Sequence, residues 1–126
     1  MTAEPTVLVI DRSPAADGEG LRAALGSVGG ICVRTGVDPS QSPAPHLIVL
    51  DLDDFQESGF EILSHLRLEA RTRRVPVIVF TSSGEAAEVE RAYSLGASTC
   101  LRKTSDRQLM NEVARAVRDF AGILAS

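Results

Sequence analysis

The runs "VLVI" (residues 7 to 10), "LIVL" (47 to 50) and "VIVF" (77 to 80) constrain the fold more than any other feature of the chain. Each is apolar at every position. None shows the period-two alternation of a strand with one wet face, so each must be covered on both sides. With their flanks, and with two similar segments, they predict five strands: "TVLVI" (6 to 10), "ICVRT" (31 to 35), "HLIVL" (46 to 50), "VPVIVF" (75 to 80) and "TCLR" (99 to 102). All are short, rich in β-branched residues and bounded by turn or charged residues.

Between these segments apolar residues recur at helical spacing. Leu21, Ala24, Leu25 and Val28 form one stripe, Phe60, Leu63 and Leu66 a second, and Ala86, Val89, Ala92 and Tyr93 a third. The last stripe, Leu109, Val113, Ala116, Val117, Phe120 and Leu124, is opened by a Ser105 or Asp106 cap. Doubly covered strands alternating with amphipathic helices give a doubly wound parallel sheet. One crossover breaks the pattern. In "GVDPSQSPAPH" (36 to 46) three prolines leave room for at most one helical turn, so the second crossover helix is expected to be shortened or absent. A loop packed on the sheet, or an exposed patch that binds a partner, would both satisfy that segment.

The 126 residues suffice for one domain, 1–126, with a core that needs no staples. Thirteen basic residues against seventeen acidic ones leave a net charge of −4. That balance argues against nucleic acid and anionic membranes as partners and for proteins or cations. Cys32 and Cys100 sit in apolar runs without a CxxC or Cys/His cluster, which predicts two buried thiols in a reducing compartment. The N-terminus "MTAEPTV" has no signal-peptide pattern and no run is long enough to span a membrane, so a cytoplasmic location is expected.

In open parallel sheets chemistry gathers beyond the carboxyl ends of the strands, where the winding reverses. Asp11 follows the first strand, Asp51 the third and Thr81 the fourth, and Lys103 closely follows the fifth. In the flavodoxin-like order 2-1-3-4-5 the first and third strands are neighbours, which sets Asp11 beside Asp51. Two carboxylates, a hydroxyl and an ammonium suit a cation or a phosphoryl group. A glycine-rich phosphate loop is missing from "DRSPAADGEG", which argues against nucleotide and flavin binding, and the isolated His46 and His65 support neither a triad nor a zinc site.

These residues carry a resemblance. "VLVID", "LIVLDLDDFQESGFEIL" with Gly59 eight residues after Asp51, "VPVIVFTSS", "YSLGAS" and Lys103 twenty-two residues after Thr81 together resemble the receiver domain of bacterial response regulators, the CheY-like fold. The resemblance implies that Asp51 accepts a phosphoryl group from a histidine kinase or a phosphotransfer protein. Thr81 and Lys103 would contact that group, and Asp11, Asp51 and the main-chain carbonyl of Asp53 would hold Mg²⁺. It further implies a switch in protein contacts read by a downstream target, with Tyr93, Cys100 and Arg102 on the output surface. Such a domain is not an enzyme beyond promoting its own phosphorylation and dephosphorylation at Asp51.

The chain departs from the family pattern at four places. Arg12 stands where the second acid belongs, Phe55 and Thr104 replace prolines, and Cys100 replaces an aromatic residue. Asp11 and Asp51 then face Arg12 and Lys103, and the hold on Mg²⁺ is expected to weaken. Arg12 can fork onto Asp51 in place of the ion or point to solvent and leave a weak metal site. Asp53 or Asp54 could turn a side chain inward and restore a third carboxylate. Two functions therefore stand side by side: an atypical receiver phosphorylated at Asp51, and a pseudo-receiver that signals by protein contact alone. Arg67, Arg71, Arg73 and Arg74 read as a solvated helix end. Phe120, Ile123 and Leu124 offer more apolar surface than one sheet uses, which points to a homodimer.

Overall fold

Side chains of alternating parity along the strands pack into two separate apolar layers, and these layers fix the architecture. The computed structural model describes residues 4–11, 21–35, 44–55 and 57–125. Their order is β1 (Thr6–Ile10), α1 (Leu21–Val28), β2 (Cys32–Thr35), β3 (Leu47–Asp51), α2 (Glu57–Leu68), β4 (Val77–Thr81), α3 (Ala86–Ser94), β5 (Thr99–Arg102) and α4 (Arg107–Ala125). The strands form one parallel sheet in the order β2-β1-β3-β4-β5, as the strand pattern predicts. Val7, Val9, Leu47, Val49, Ile78 and Phe80 face α1 and α4. Leu8, Ile10, Ile48, Leu50, Val77 and Val79 face α2 and α3. Removing this surface from water on both sides supplies the main drive to fold.

Strand ends differ from the sequence expectation for identifiable reasons. Pro76 has no N–H to give and joins the sheet only through its carbonyl, which accepts from Ile48, so β4 starts at Val77 and extends to Thr81. At His46 the ring Nδ1 accepts the Thr6 N–H at 3.0 Å while the His46 amide donates to the Thr6 carbonyl, and β3 proper runs from Leu47 to Asp51. Gly29 and Gly30, both at positive φ, turn the chain into β2, which begins at Cys32. Cys32 is exposed on this edge strand and Cys100 is half-buried, so the expectation of two buried thiols is corrected. The proline-rich crossover expected as a loop falls largely at residues 36–43, outside the described residues.

Asp106 is the cap of α4: its Oδ1 accepts the amides of Gln108 at 2.9 Å and Leu109 at 3.2 Å. Phe55 is buried against the α2 layer. The close approach of Gly59 to Leu52 and Phe55 explains that glycine, since a Cβ there would lie 2.6 Å from a Leu52 methyl. The arginine cluster is the largest surprise. Arg67 is not a solvated helix end; its guanidinium donates to the carbonyls of Gly96 (2.6 and 2.9 Å), Val75 (2.7 Å) and Arg73 (3.1 Å). It ties α2 to the turns that lead into β4 and β5.

Gly96 sits at φ +109°, and a Cβ there would meet the Arg67 side chain at 2.6 Å. Gly96→Ala is expected to cost on the order of 1–3 kcal/mol, read as a lower urea midpoint. Gly26, with open space around its Cβ position inside α1, gives the contrast: Gly26→Ala should raise stability by roughly 0.5–1 kcal/mol. Equal effects at both positions would contradict the role given to Arg67 and Gly96.

Candidate functional site

The β1–β3 register matches Ile10 with Leu50, so Asp11 and Asp51 emerge from adjacent strand ends on the face covered by α1 and α4. From the far edge of the sheet the amide of Lys103 donates to the Thr81 carbonyl, which brings the lysine back over β4 toward Asp51. Its Nζ lies 2.7 Å from Asp51 Oδ2 and 3.3 Å from Asp53 Oδ2. The Asp54 amide donates weakly to Asp51 Oδ1 at 3.4 Å. A cavity of about 340 Å³ opens beside the pair, floored by Val9, Val49, Phe80 and Met110.

Thr81 is buried at the end of β4. Its hydroxyl donates to Asp53 Oδ1 at 3.1 Å and accepts the Ser83 amide, also at 3.1 Å. The Ser82 amide donates to both oxygens of Asp53, at 2.9 and 3.2 Å. Asp53 therefore turns its carboxylate into the site, the arrangement that the charge pattern left open, and does more there than lend a main-chain carbonyl. Asp11 is engaged separately, 3.3 Å from the Arg22 guanidinium of α1. Arg22 and the Ser82 amide are site groups that sequence reasoning missed. Arg22 follows an apolar helix position with no motif around it, and a backbone donor has no side-chain signature. Arg12 lies outside the described residues.

The charges of the site are unevenly satisfied. Burial pushes the Asp51 carboxyl up; Lys103 opposes the shift and Asp54 adds to it, and burial prevails. Asp11 is also raised, by burial first and by Asp54 and Asp51, against the pull of Arg22. At Asp53 burial acts upward too, but the Ser82 hydrogen bonds and Lys103 outweigh it and hold the carboxyl low. Lys103 is raised because its contacts with Asp51 and Asp53 outweigh burial. Asp54 thus crowds Asp11 and Asp51, while the ammonium gains from Asp51 and Asp53.

A hard divalent cation needs converging oxygen ligands. Among the described residues no group of three or more His, Cys, Asp or Glu side chains is placed to hold a metal ion. Asp11 is turned to Arg22, Asp51 to Lys103 and Asp53 to Thr81 and Ser82, so the described side chains do not fit such an ion as they stand. Farther along the sheet, the Tyr93 hydroxyl accepts the Cys100 amide at 3.1 Å, joining α3 to β5. Arg102 reaches toward Gly84 in the loop after β4. Burial pushes the Cys100 thiol up, so it stays protonated at neutral pH.

Known proteins match this chain in sequence and in fold. The family model described as "Response regulator receiver domain" matches residues 32–115. The chain is 30% identical over 119 residues to the DNA-binding dual master transcriptional regulator RpaA of Synechocystis sp., covering 90% of this chain and 48% of that one. It is 29% identical over 79 residues to the response regulator Rcp1 of Synechocystis sp., covering 63% of this chain and 54% of Rcp1. The matches thus span about half the length of these relatives. The phosphorylated cyanobacterial phytochrome response regulator RcpA superimposes with a TM-score of 0.79 at 20% identity over 98% of both chains. The Mn²⁺-bound form of Rcp1 superimposes with a TM-score of 0.72 at 22% identity, over 92% of this chain and 94% of that one. No helix among the described residues is long and apolar enough to cross a membrane.

The raised Asp51 makes a stability prediction. A carboxyl whose folded value lies above its unfolded one disfavours folding when ionised, and that penalty disappears as pH falls through the folded value. Asp51→Asn removes the penalty at neutral pH, so its urea midpoint should equal or exceed that of the parent. A clear drop would mean that the Lys103 pair outweighs the burial of Asp51. Asp53 has the opposite sign: its contribution is present above the unfolded value and lost as pH falls through the depressed folded value.

Proposed function

The chain belongs to the response regulator receiver domain family of two-component signalling, and from that premise we propose that Asp51 is a phosphoryl acceptor. The donor is a histidine kinase or a phosphotransfer protein. The observation that carries this reading is the 2.7 Å contact of Lys103 with Asp51, flanked by the inward Thr81 hydroxyl and the Ser82 amide. An ionised Asp51 Oδ attacks phosphorus in line; the P–O bond forms as the P–N bond to the donor histidine breaks, and the imidazole departs. Lys103 neutralises the anion that Asp51 must approach, and its ammonium stays beside the acyl phosphate formed. The added charge, about −1.5 to −2 for a phosphoryl group, then draws on the donors around Thr81. The domain is not an enzyme in its own right and acts at most on its own Asp51.

The carboxylates need cations, and among the described residues Arg22 and Lys103 supply them. Arg22 pairs with Asp11, and Arg12 occupies the sequence position of the second acid. We assign to this substitution a weakened affinity for Mg²⁺, an ion that would supply charge neutralisation at the phosphoryl oxygens when bound. The same pairing favours a second reading, a pseudo-receiver that works by protein contact without a phosphate cycle. In either case the contacts pass through the surface that carries Tyr93, Cys100 and Arg102 to a downstream protein in the cytoplasm. Leu109, Phe120 and Ile123 are exposed along α4, which supports a homodimer through that helix.

Incubation with a labelled small acyl phosphate and Mg²⁺ is expected to label the parent, and Asp51→Asn should abolish the label. Lys103→Ala should slow labelling by about a hundredfold, the scale of losing one charge-stabilising donor. Persistent failure to label the parent, alongside a binding partner that takes parent and Asp51→Asn equally, would establish the pseudo-receiver. Arg12→Asp should tighten Mg²⁺ binding, measured by calorimetry, by more than about tenfold; unchanged affinity would remove Arg12 from the account.

A further inference from the structure

The Asp53 carboxylate takes three donors, of which Lys103 also contacts Asp51. Lys103 Nζ lies 3.3 Å from its Oδ2, the Thr81 hydroxyl donates to Oδ1 at 3.1 Å, and the Ser82 amide donates to both oxygens, at 2.9 Å to Oδ2. A planar anion is therefore already held by an ammonium, a hydroxyl and a backbone N–H at one edge of the site. These are the donor types that a tetrahedral phosphoryl anion on Asp51 would require, and no second set of that composition surrounds Asp51 among the described residues. Asp54, next in sequence, is a second nearby carboxylate, and its amide contacts Asp51.

We propose that Asp53 is an internal competitor for the phosphoryl group, a carboxylate that holds Thr81, the Ser82 amide and Lys103 in the unmodified domain and must leave them when Asp51 is phosphorylated. The proposal rests on the reading of Asp51 as phosphoryl acceptor and adds a positioning residue to it. Two consequences follow. Thr81 is already drawn inward before phosphorylation, so its side chain changes partner on modification and hardly changes direction. The unmodified state is also stabilised relative to the phosphorylated one, which slows acceptance and favours loss of the group. A carboxylate suits this role because it offers two charge-assisted acceptors to donors that converge from a strand end, a loop amide and a lysine.

The test compares Asp53→Ala, Asp53→Asn and Asp54→Ala with the parent, using a small acyl phosphate with Mg²⁺ and mass-spectrometric detection of phosphorylated Asp51. Asp53→Ala should be labelled about tenfold faster than the parent, a factor in keeping with the loss of a charged hydrogen-bond acceptor. Asp53→Asn, which keeps the shape and one acceptor oxygen, should fall between them. Asp54→Ala removes a neighbouring negative charge without freeing Thr81 or Ser82 and should accelerate labelling less than Asp53→Ala. Equal acceleration in the two alanine variants would reduce the effect to bulk charge and overturn the competition, as would no acceleration at Asp53. A second readout does not depend on phosphorylation. In an Asp51→Asn background the Ser82 amide proton should move upfield when Asp53 becomes Ala, and an unmoved signal also overturns the proposal. If parent and variants all remain unlabelled, it is the acceptor reading of Asp51 that fails and the competition ends with it. Labelling of the parent without acceleration removes Asp53 alone.

Discussion

Parallel pairing of β1 with β3, in the register that sets Ile10 against Leu50, forces two carboxylates out of the sheet side by side. The strands cannot slip to separate them, because a shift of one residue would turn every apolar side chain of β1 toward the wrong layer. Asp11 and Asp51 must therefore share a partly buried corner, where burial pushes both carboxyls up and the nearby Asp54 adds to both shifts. The rest of the site answers that constraint. Lys103 arrives from the end of β5 and Arg22 from the first turn of α1, one cation for each acid.

The corner is made by the most robust part of the molecule and served by less constrained parts. Both layers of β1, β3 and β4 are buried, so the positions of Asp11, Asp51 and Thr81 are fixed by the core itself. The loop after β3, by contrast, is free to choose which side chain it sends inward, and it sends Asp53. A pair of turns on the opposite end of the sheet shows the same division. There Arg67 gathers carbonyls from two turns, and Gly96 gives way by having no side chain at all.

The sequence foretold what burial dictates and missed what side chains negotiate. Continuous apolar runs made the strands, the two layers and the strand-end positions of Asp11, Asp51 and Thr81 legible, and Lys103, close behind the fifth strand, fell at the same corner. The capping of α4 by Asp106 was legible because a cap is a local hydrogen bond. Arg67 was not: an arginine beside three others gives no sign that its guanidinium folds back on Gly96 and Val75, since those carbonyls are distant in sequence. Arg22 hid for the same reason. Cys32 misled because an apolar run implies burial only where both neighbours exist, and β2 is an edge.

Charge counting at the corner turns on donors more than on acids. Among the described residues Asp11, Asp51 and Asp53 meet Arg22 and Lys103, so three carboxylates face two cations there, with Asp54 close enough to push Asp11 and Asp51 further up. Adding a phosphoryl group increases the negative side again, by about −1.5 to −2. The Thr81 hydroxyl and the Ser82 amide are neutral donors that can move from one anion to another, whereas Arg22 sits on the α1 side, paired with Asp11. A site with few donors and many acids responds to a new anion by exchanging partners. Such an exchange can carry a signal, because each donor released or captured at Thr81 and Ser82 sits at the start of the loop that leads into α3, the helix whose Tyr93 touches β5.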